Sequence, residues 1–514
     1  MKRRTIIKGL AAAPLIPVIG GSLTGRASAS TASSLVFDPG DYTVETMTVT
    51  TDSSGTTVDV TYHFYEGIPY VANPVDVTYQ SLDISVPVEI GGVTVDATRA
   101  PILFNINVGG YTSSPIATSL GSTGGVAGGV AGGGGPPGGP APTGTGTNYD
   151  NGGLALAAGF VRVDPACRGW DNETSAGTYF GKAPAAIVDL KAAVRYLRSN
   201  RGLVPGDTEH IVSTGGSAGG ALSSLLAASG DQPEYQPYLD ALGAAHASDA
   251  IFAAFATSPI TDLDHGDMQY EWELASLPLA GGDYVDSTWS GELVGQFTRY
   301  QDSLRLNGIN GWGPLRADNY ADYLLRNYLI PSATYQFSTW TSDYLEEYLA
   351  DNTWISYSDE RVSFTWDGYL GHIGTRQKTC PAFDTIDLSA PENHEFGDAT
   401  VNARHFTLWG LRLATGDDTA QLDPDLPPKI YLMNALDQIV RNNPNRARHW
   451  WIRNGTLDTN AAHTVSANIA AALTDLGDDV NSAFYWDGGH AVDWDGPEFI
   501  DWITRITGHR RPGR

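Results

Sequence analysis

The chain has 514 residues, of which 41% are hydrophobic and 10% aromatic, enough to bury a large core as one domain with an insertion or as two domains, which excludes a disordered protein. Its formal net charge is −27, and lysine occurs only at Lys2, Lys8, Lys182, Lys191, Lys378 and Lys429, so no basic face is available for nucleic acid, whose phosphates require one. The acidity reads as solubility outside the cytoplasm or in salt rather than as an acidic binding surface.

Residues 1–29 combine Arg3-Arg4, an apolar run too short to span a bilayer stably, and the small-residue site Ala27-Ser28-Ala29. This pattern predicts a twin-arginine signal peptide and a secreted or cell-envelope protein that leaves the membrane once the signal is cleaved. From residue 42 to 90, Thr/Val/Tyr-rich runs alternate apolar and polar positions between Ser/Gly and Pro breaks, which predicts antiparallel strands. Residues 100–108, APILFNINV, read as a buried strand ending at Gly109-Gly110-Tyr111. The Gly/Pro tract at 123–146 cannot form a packed core and is expected to be a mobile surface loop.

After Gly153 the pattern changes to alternating helices and strands, which argues for an α/β core, a mostly parallel sheet with helices on both faces. The first part of this core is expected to run over residues 36–260. Residues 261–419 lose the rhythm and become aromatic and acidic, reading as a large inserted lid domain. The second part, 420–508, is expected to resume with a strand at 429–434, KIYLMN. A helix near 464–476 and a strand at 483–486 follow.

The stretch that organises the chemistry is EHIVSTGGSAGGALSSLLAAS, residues 209–229. Gly215-Gly216-Ser217-Ala218-Gly219 reads as G-x-S-x-G, a tight strand-to-helix turn that exposes one hydroxyl at a helix N-terminus, and this context favours Ser217 as a nucleophile over a plain turn. The Gly-Gly pair upstream suits an oxyanion loop, because backbone N–H groups must approach a developing alkoxide closely. Gly110 and Ala218 are the expected donors. His490, in the Gly-flanked loop Asp487-Gly488-Gly489-His490, closes a late strand and suits the base in a Ser…Asp…His order. Two acids remain open: Asp437 follows the expected KIYLMN strand, and Asp458 lies in a Gly-containing turn with the shorter separation from His490, which favours it. Cys167 and Cys380 are compatible with one disulfide in an exported protein or with two buried thiols.

The residues TYFGKAPAAIVDLK at 178–191, the elbow with its SAGGALSSLLAASG continuation, Ser258-Pro259-Ile260-Thr261, Tyr270-Glu271-Trp272, Pro391-Glu392-Asn393, HWWIRNGTLD and DGGH together resemble the bacterial tannases, α/β-hydrolases that cleave galloyl esters. The resemblance spans about residues 153–502. It implies Ser217, Asp458 and His490 as a triad acting through an acyl-enzyme, with no cofactor and no metal. It further implies that Lys378, Glu392 and Asn460 hold the phenolic hydroxyls of the acid. The family pattern has an aspartate where this chain has Asn460, an amide that still accepts a phenol hydrogen bond but without the charge that strengthens it. That departure leaves room for phenolic acyl groups other than gallate, and a feruloyl-type or general carboxylesterase is the alternative. From another class, the alternative is a non-catalytic polyphenol-binding protein. The acidic clusters at 262–267 and 493–495 match no calcium-loop pattern and read as hydrogen-bonded turns.

Overall fold

The computed structural model describes residues 35–116 and 147–511. The signal-peptide reading and the Gly/Pro loop of residues 123–146 therefore lie outside the described residues. Ten strands form the main sheet: β1 (Thr43–Thr50), β2 (Thr57–Pro69), β3 (Ser81–Ile90), β4 (Val93–Thr94), β5 (Pro101–Asn105), β6 (Val161–Pro165), β7 (Asp207–Gly216), β8 (Ala253–Thr257), β9 (His449–Gly455) and β10 (Asp479–Tyr485). Their order is β1-β2-β3-β6-β5-β7-β8-β9-β10, with the short β4 paired to β3. As the alternating sequence of residues 42–90 predicts, β1, β2 and β3 are antiparallel. From β6 to β10 every neighbouring pair is parallel.

The central parallel strands are buried along their length: β5 and β8 are nearly continuous apolar runs, whereas β6 buries Arg162 and Asp164 as an ion pair at 2.7 Å. Helix α1 (Asn151–Ala157) leads into β6, α2 (Ala185–Ser199) precedes β7, and α3 (Ala218–Ala228) leaves it. All eleven residues of α3 are buried, and their Gly, Ala and Ser content allows the close approach. Ser223 bridges the Ser213 hydroxyl at 2.7 Å and the Phe255 carbonyl at 2.8 Å, so a polar pin joins the helix to β7 and β8. Helix α2 carries further pins. Asp189 accepts two hydrogen bonds from the Arg168 guanidinium at 2.8 Å, and the buried Lys191 ammonium lies 2.7 Å from Asp249. Two charged residues of the TYFGKAPAAIVDLK motif thus serve the fold, satisfied by partners that burial makes obligatory.

Between β8 and β9 the chain is mainly helical, and none of the strands described there joins the main sheet. The helices needed below are α4 (Gly266–Leu274), α5 (Ser342–Asp351), α6 (Trp366–Ile373) and α7 (Pro391–Glu395). Tyr270, Phe297, Tyr320 and Tyr369 of this segment pack in one apolar cluster with Leu222 and Ile452 of the core. The segment is therefore held by the same burial that stabilises the sheet.

One expected strand is not a strand. All of KIYLMN but its last residue lies in the helix Leu426–Met433, which has Pro427 and Pro428 in its first turn and buries Leu426, Ile430 and Met433 along one face. Proline at a helix start costs no hydrogen bond, and the i, i+4, i+7 spacing outweighs the local β propensity. The sheet resumes at β9, followed by α8 (His463–Asp475), β10 and α9 (Gly496–Thr507). Both cysteines are free, buried thiols.

Candidate active site

Strand β7 runs into α3 through Ser217, whose φ of 58° and ψ of −126° are unusual for a residue with a side chain. The two motif glycines make that turn possible. A Cβ on Gly215 would lie 2.4 Å from the Gly219 carbonyl oxygen, and one on Gly219 would lie 2.8 Å from the Ile106 carbonyl oxygen. The Ser217 N–H donates to the Thr257 carbonyl at 3.0 Å, and the Ser217 carbonyl accepts from Ala221 at 2.9 Å, starting the helix. The Oγ consequently stands at the carboxyl ends of the central strands, over the N-terminus of α3.

The acid and the base come from the ends of β9 and β10. These two ends touch backbone to backbone: a Cβ on Gly455 would lie 2.2 Å from both the Gly488 and Gly489 carbonyl oxygens. His490 Nε2 is 2.9 Å from Ser217 Oγ, and its Nδ1 is 3.0 Å and 2.9 Å from the two carboxylate oxygens of Asp458. Asp458 is fully buried and also accepts the N–H of Asn460 at 2.9 Å. Burial alone would raise its carboxyl, but His490 and the hydrogen bonds from Ser258 and Asn460 hold it below its ordinary value. Asp437, the other acid left open by the sequence, lies in the first turn of the helix Ala435–Val440, with its N–H on the Asn434 side chain at 3.1 Å. It faces Asp262 and His265 rather than His490.

Gly110 has a φ of 55°, and its carbonyl accepts from the Trp170 indole at 2.7 Å. Its N–H donates to no group among the described residues. The adjoining Tyr111 is buried and anchors the loop by donating to the Ile260 carbonyl at 2.6 Å. Ala218 is the first residue of α3, so its N–H has no carbonyl one turn back within the helix.

The three residues expected to hold an aromatic acid sit on elements that adjoin this centre. Glu392 is 2% exposed on α7, whose Pro391 would lie 3.8 Å from a Cβ placed on Gly110, and its Oε2 is buried without a hydrogen-bond partner among the described residues. Lys378 is half-buried, with its ammonium 3.8 Å from the centroid of the Phe383 ring. Asn460 is half-buried two residues beyond Asp458. One hydroxyl ties these last two loops together: Tyr270 Oη donates to the Thr459 carbonyl at 2.7 Å and accepts the Lys378 N–H at 3.1 Å.

The acidic turn at 262–267 is hydrogen-bonded largely by side chains outside it. Asp262 accepts from His265, Gln269 and Asn434, each at 2.8 Å, and from the Tyr300 hydroxyl, while Asp264 accepts from Asn434 at 3.0 Å. Asp495 is likewise engaged by Arg453 at 2.7 Å and Tyr485 at 2.5 Å.

Comparison with known proteins gives this geometry a family. Residues 177–281, which include the elbow, match the family model BD-FAE. A stretch of 106 residues, 20% of this chain and 24% of the other, is 38% identical to Esterase LipQ of Mycobacterium tuberculosis, so that match spans about a quarter of the esterase. The similarity to solved tannases is far longer. A tannin acyl hydrolase in complex with ethyl gallate superimposes with a TM-score of 0.76 at 31% identity, over 92% of this chain and 99% of that chain. The tannase of Fusobacterium nucleatum gives 0.75 at 31%, over 92% and 100%, and that of Lactobacillus plantarum 0.75 at 30%, over 92% and 99%. The chain belongs to the tannase family. It has the α/β-hydrolase fold and is a carboxylic ester hydrolase.

Within this tannase fold three further residues matter: Ser258 and Tyr270, which the sequence shows only inside motifs, and Arg376, which lies in none of them. Ser258 is buried with a φ of 45°, hydrogen-bonds Asp458, and accepts the Ala491 N–H at 3.0 Å, linking the acid to the histidine loop. Its place directly after β8, beside the elbow strand, was the available signal. Tyr270 and Arg376 act on the Lys378 loop, and nothing in their spacing announces it.

Proposed function

We propose that this tannase-family member is a serine esterase that hydrolyses galloyl and related phenolic esters through an acyl-enzyme. The observation that carries the mechanism is the continuous chain of contacts from Asp458 through His490 to Ser217. His490 Nε2 accepts the Ser217 proton as Oγ attacks the ester carbonyl, while Asp458 fixes the imidazole with Nδ1–H toward the carboxylate. The N–H groups of Gly110 and Ala218 receive the tetrahedral oxyanion, each contributing on the order of 3 kcal/mol. The alcohol leaves with the proton from His490. Water, deprotonated by the same imidazole, then releases the acid and regenerates Ser217.

The aromatic acid is held by Lys378, Glu392 and Asn460. The buried, unpartnered Oε2 of Glu392 supports a donor ligand such as a phenol, because a buried acceptor is costly unless satisfied. A neighbour solved with ethyl gallate agrees with that class of ligand. In this reading residues 261–419 form the lid over the core, and residues 1–29 direct export by the twin-arginine route.

The test is a substrate profile of the purified mature protein on methyl gallate, methyl ferulate and short aliphatic esters. The galloyl reading expects the highest kcat/KM on methyl gallate, and an equal rate on all three would leave only a general carboxylesterase. Ser217→Ala is expected to lower kcat by at least about 10⁴-fold. If the variant and the wild type share the same negligible turnover, the protein is a binder on a hydrolase fold.

A further inference from the structure

Lys378 stands on the loop after α6, and among the described residues its ammonium makes neither a hydrogen bond nor an ion pair, only the contact with the Phe383 ring. A four-carbon side chain on a loop has many rotamers and little reason to point at a substrate unless its backbone is fixed. Here the backbone is fixed on both sides. The Lys378 N–H donates to Tyr270 Oη at 3.1 Å, and the Lys378 carbonyl accepts from Arg376 Nε at 2.9 Å. The same guanidinium donates to the Thr379 carbonyl at 3.0 Å.

Arg376 is itself held. Its side chain is fully buried, and it meets the equally buried Glu271 in a two-pronged ion pair, one prong 2.9 Å long. Glu271 also accepts the Ser290 hydroxyl at 2.7 Å, and the Arg376 guanidinium lies over the Tyr270 ring at 5.0 Å from its centroid. Glu271 and Tyr270 are consecutive on α4, so one helix turn grips the whole loop. A guanidinium can serve a carboxylate and two carbonyls at once because its five donors spread in a plane. A lysine ammonium at the same place would keep the charge and lose that fork.

We propose that Arg376, locked by Glu271, and Tyr270 are positioning residues that aim Lys378 at the hydroxyls of the acyl group and couple its loop to the acid loop through Thr459. This rests on Lys378 reading those hydroxyls. Tyr270 is the coupling atom's owner: its hydroxyl joins the Lys378 peptide to the residue between Asp458 and Asn460. The arrangement makes acyl-group selectivity depend on a pair of residues that need not touch the substrate.

The experiment compares methyl gallate with p-nitrophenyl acetate, whose acyl group has no ring, in wild type, Arg376→Lys, Tyr270→Phe and Lys378→Met, each with its melting temperature. For Arg376→Lys the expected result is a KM for methyl gallate about tenfold higher, a kcat within about threefold, and a methyl gallate to p-nitrophenyl acetate ratio of kcat/KM reduced about tenfold. Should Arg376→Lys fail to fold, Tyr270→Phe removes one oxygen only and is expected to reduce the ratio about threefold. A folded Arg376→Lys, or in its place a folded Tyr270→Phe, with the wild-type ratio overturns the positioning role. An equal loss on both substrates does the same, since it shows general damage. Lys378→Met separates the premise: if it raises the methyl gallate KM while folded Arg376→Lys does not, only the positioning fails. If Lys378→Met leaves that KM unchanged, the reading of Lys378 falls, and the positioning role with it.

Discussion

At the scale of single residues, the site depends on which atom of each side chain is already engaged. Asp458 uses both oxygens on His490 and one of them also on the Asn460 N–H, so its amide analogue would present an NH₂ where an acceptor is needed and favour the wrong tautomer. Asp458→Asn is expected to lower kcat about 10³- to 10⁴-fold while the KM for methyl gallate changes little, as steady-state kinetics would show. In the proposed reading Asn460 is the informative position. Its side chain is half-buried beside Asp458, and if it receives a phenol hydrogen bond as proposed, a carboxylate there would accept one about twice as strong. Asn460→Asp is therefore expected to lower the methyl gallate KM roughly threefold or more, with p-nitrophenyl acetate as the reference. An unchanged or higher KM would remove Asn460 from the acyl pocket. Ser217 and His490 were legible in the sequence because each sits in a glycine-flanked turn at a strand end. The place of Ser258 after β8 was legible but its role was not, since its work is a hydrogen bond to a residue 200 positions away.

At the scale of elements, legibility followed periodicity and its limits. The alternating strands of residues 42–90, the buried strand before Gly109 and the alanine-rich helix after Ser217 all carry strong local signals, and each forms where expected. The segment KIYLMN has β-prone residues but takes its conformation from the two prolines before it and from the core it faces, information that a six-residue window lacks. The helices between β8 and β9 were legible only as an interruption: the longest, Ser287–Leu304, buries one face made of Ser290, Leu293, Phe297 and Gln301, and the two polar members weaken its apolar stripe. The elbow shows the reverse case, a motif whose glycines are explained only by the fold. Because the atoms that a Gly219 Cβ would meet are backbone atoms of the stretch leading to Gly110, relief would require moving that stretch itself. Gly219→Ala is expected to cost roughly 1–3 kcal/mol of stability and to lower kcat with it, measured by urea unfolding and turnover of one preparation. A variant with wild-type values in both would show that the loop and the helix are not in the contact described.

At the scale of the whole molecule, the net charge of −27 was plain in the sequence, whereas the placement of carboxyls inside the fold was not. Burial pushes Glu395 and Asp83 up to about 8, and Asp267 and Asp493 up to about 7, with neighbouring carboxylates adding to the effect. In the unfolded chain these groups titrate near 4, so between about pH 4 and 8 the folded state binds more protons than the unfolded one. Stability then falls as pH rises through that window. Two histidines act in the same direction: burial opposes the charge on His463 and His265, but Glu273 and Asp262 overcome it and raise them to about 8 and about 9. Their contribution is complete below the ordinary histidine value and is lost as pH rises through 8 to 9. Working oppositely, Asp458 and Asp249 are held low by His490 and Lys191 against burial, and their stabilisation disappears only when the solution becomes acidic enough to protonate them in the folded state. Near pH 5 the raised groups still hold their protons while the lowered carboxylates are still ionised, so the two sets together place the stability maximum on the mildly acidic side of neutrality, near pH 5. Self-repulsion of the acidic surface steepens the alkaline decline and is screened by salt. Melting temperatures of the protein measured from pH 4 to 9 are expected to peak near pH 5 and fall steadily toward pH 9, with the fall shallower at high salt. A flat profile from pH 5 to 8 would mean that the buried carboxyls are ionised and paired in the folded protein, and the interior electrostatics described here would have to be redrawn.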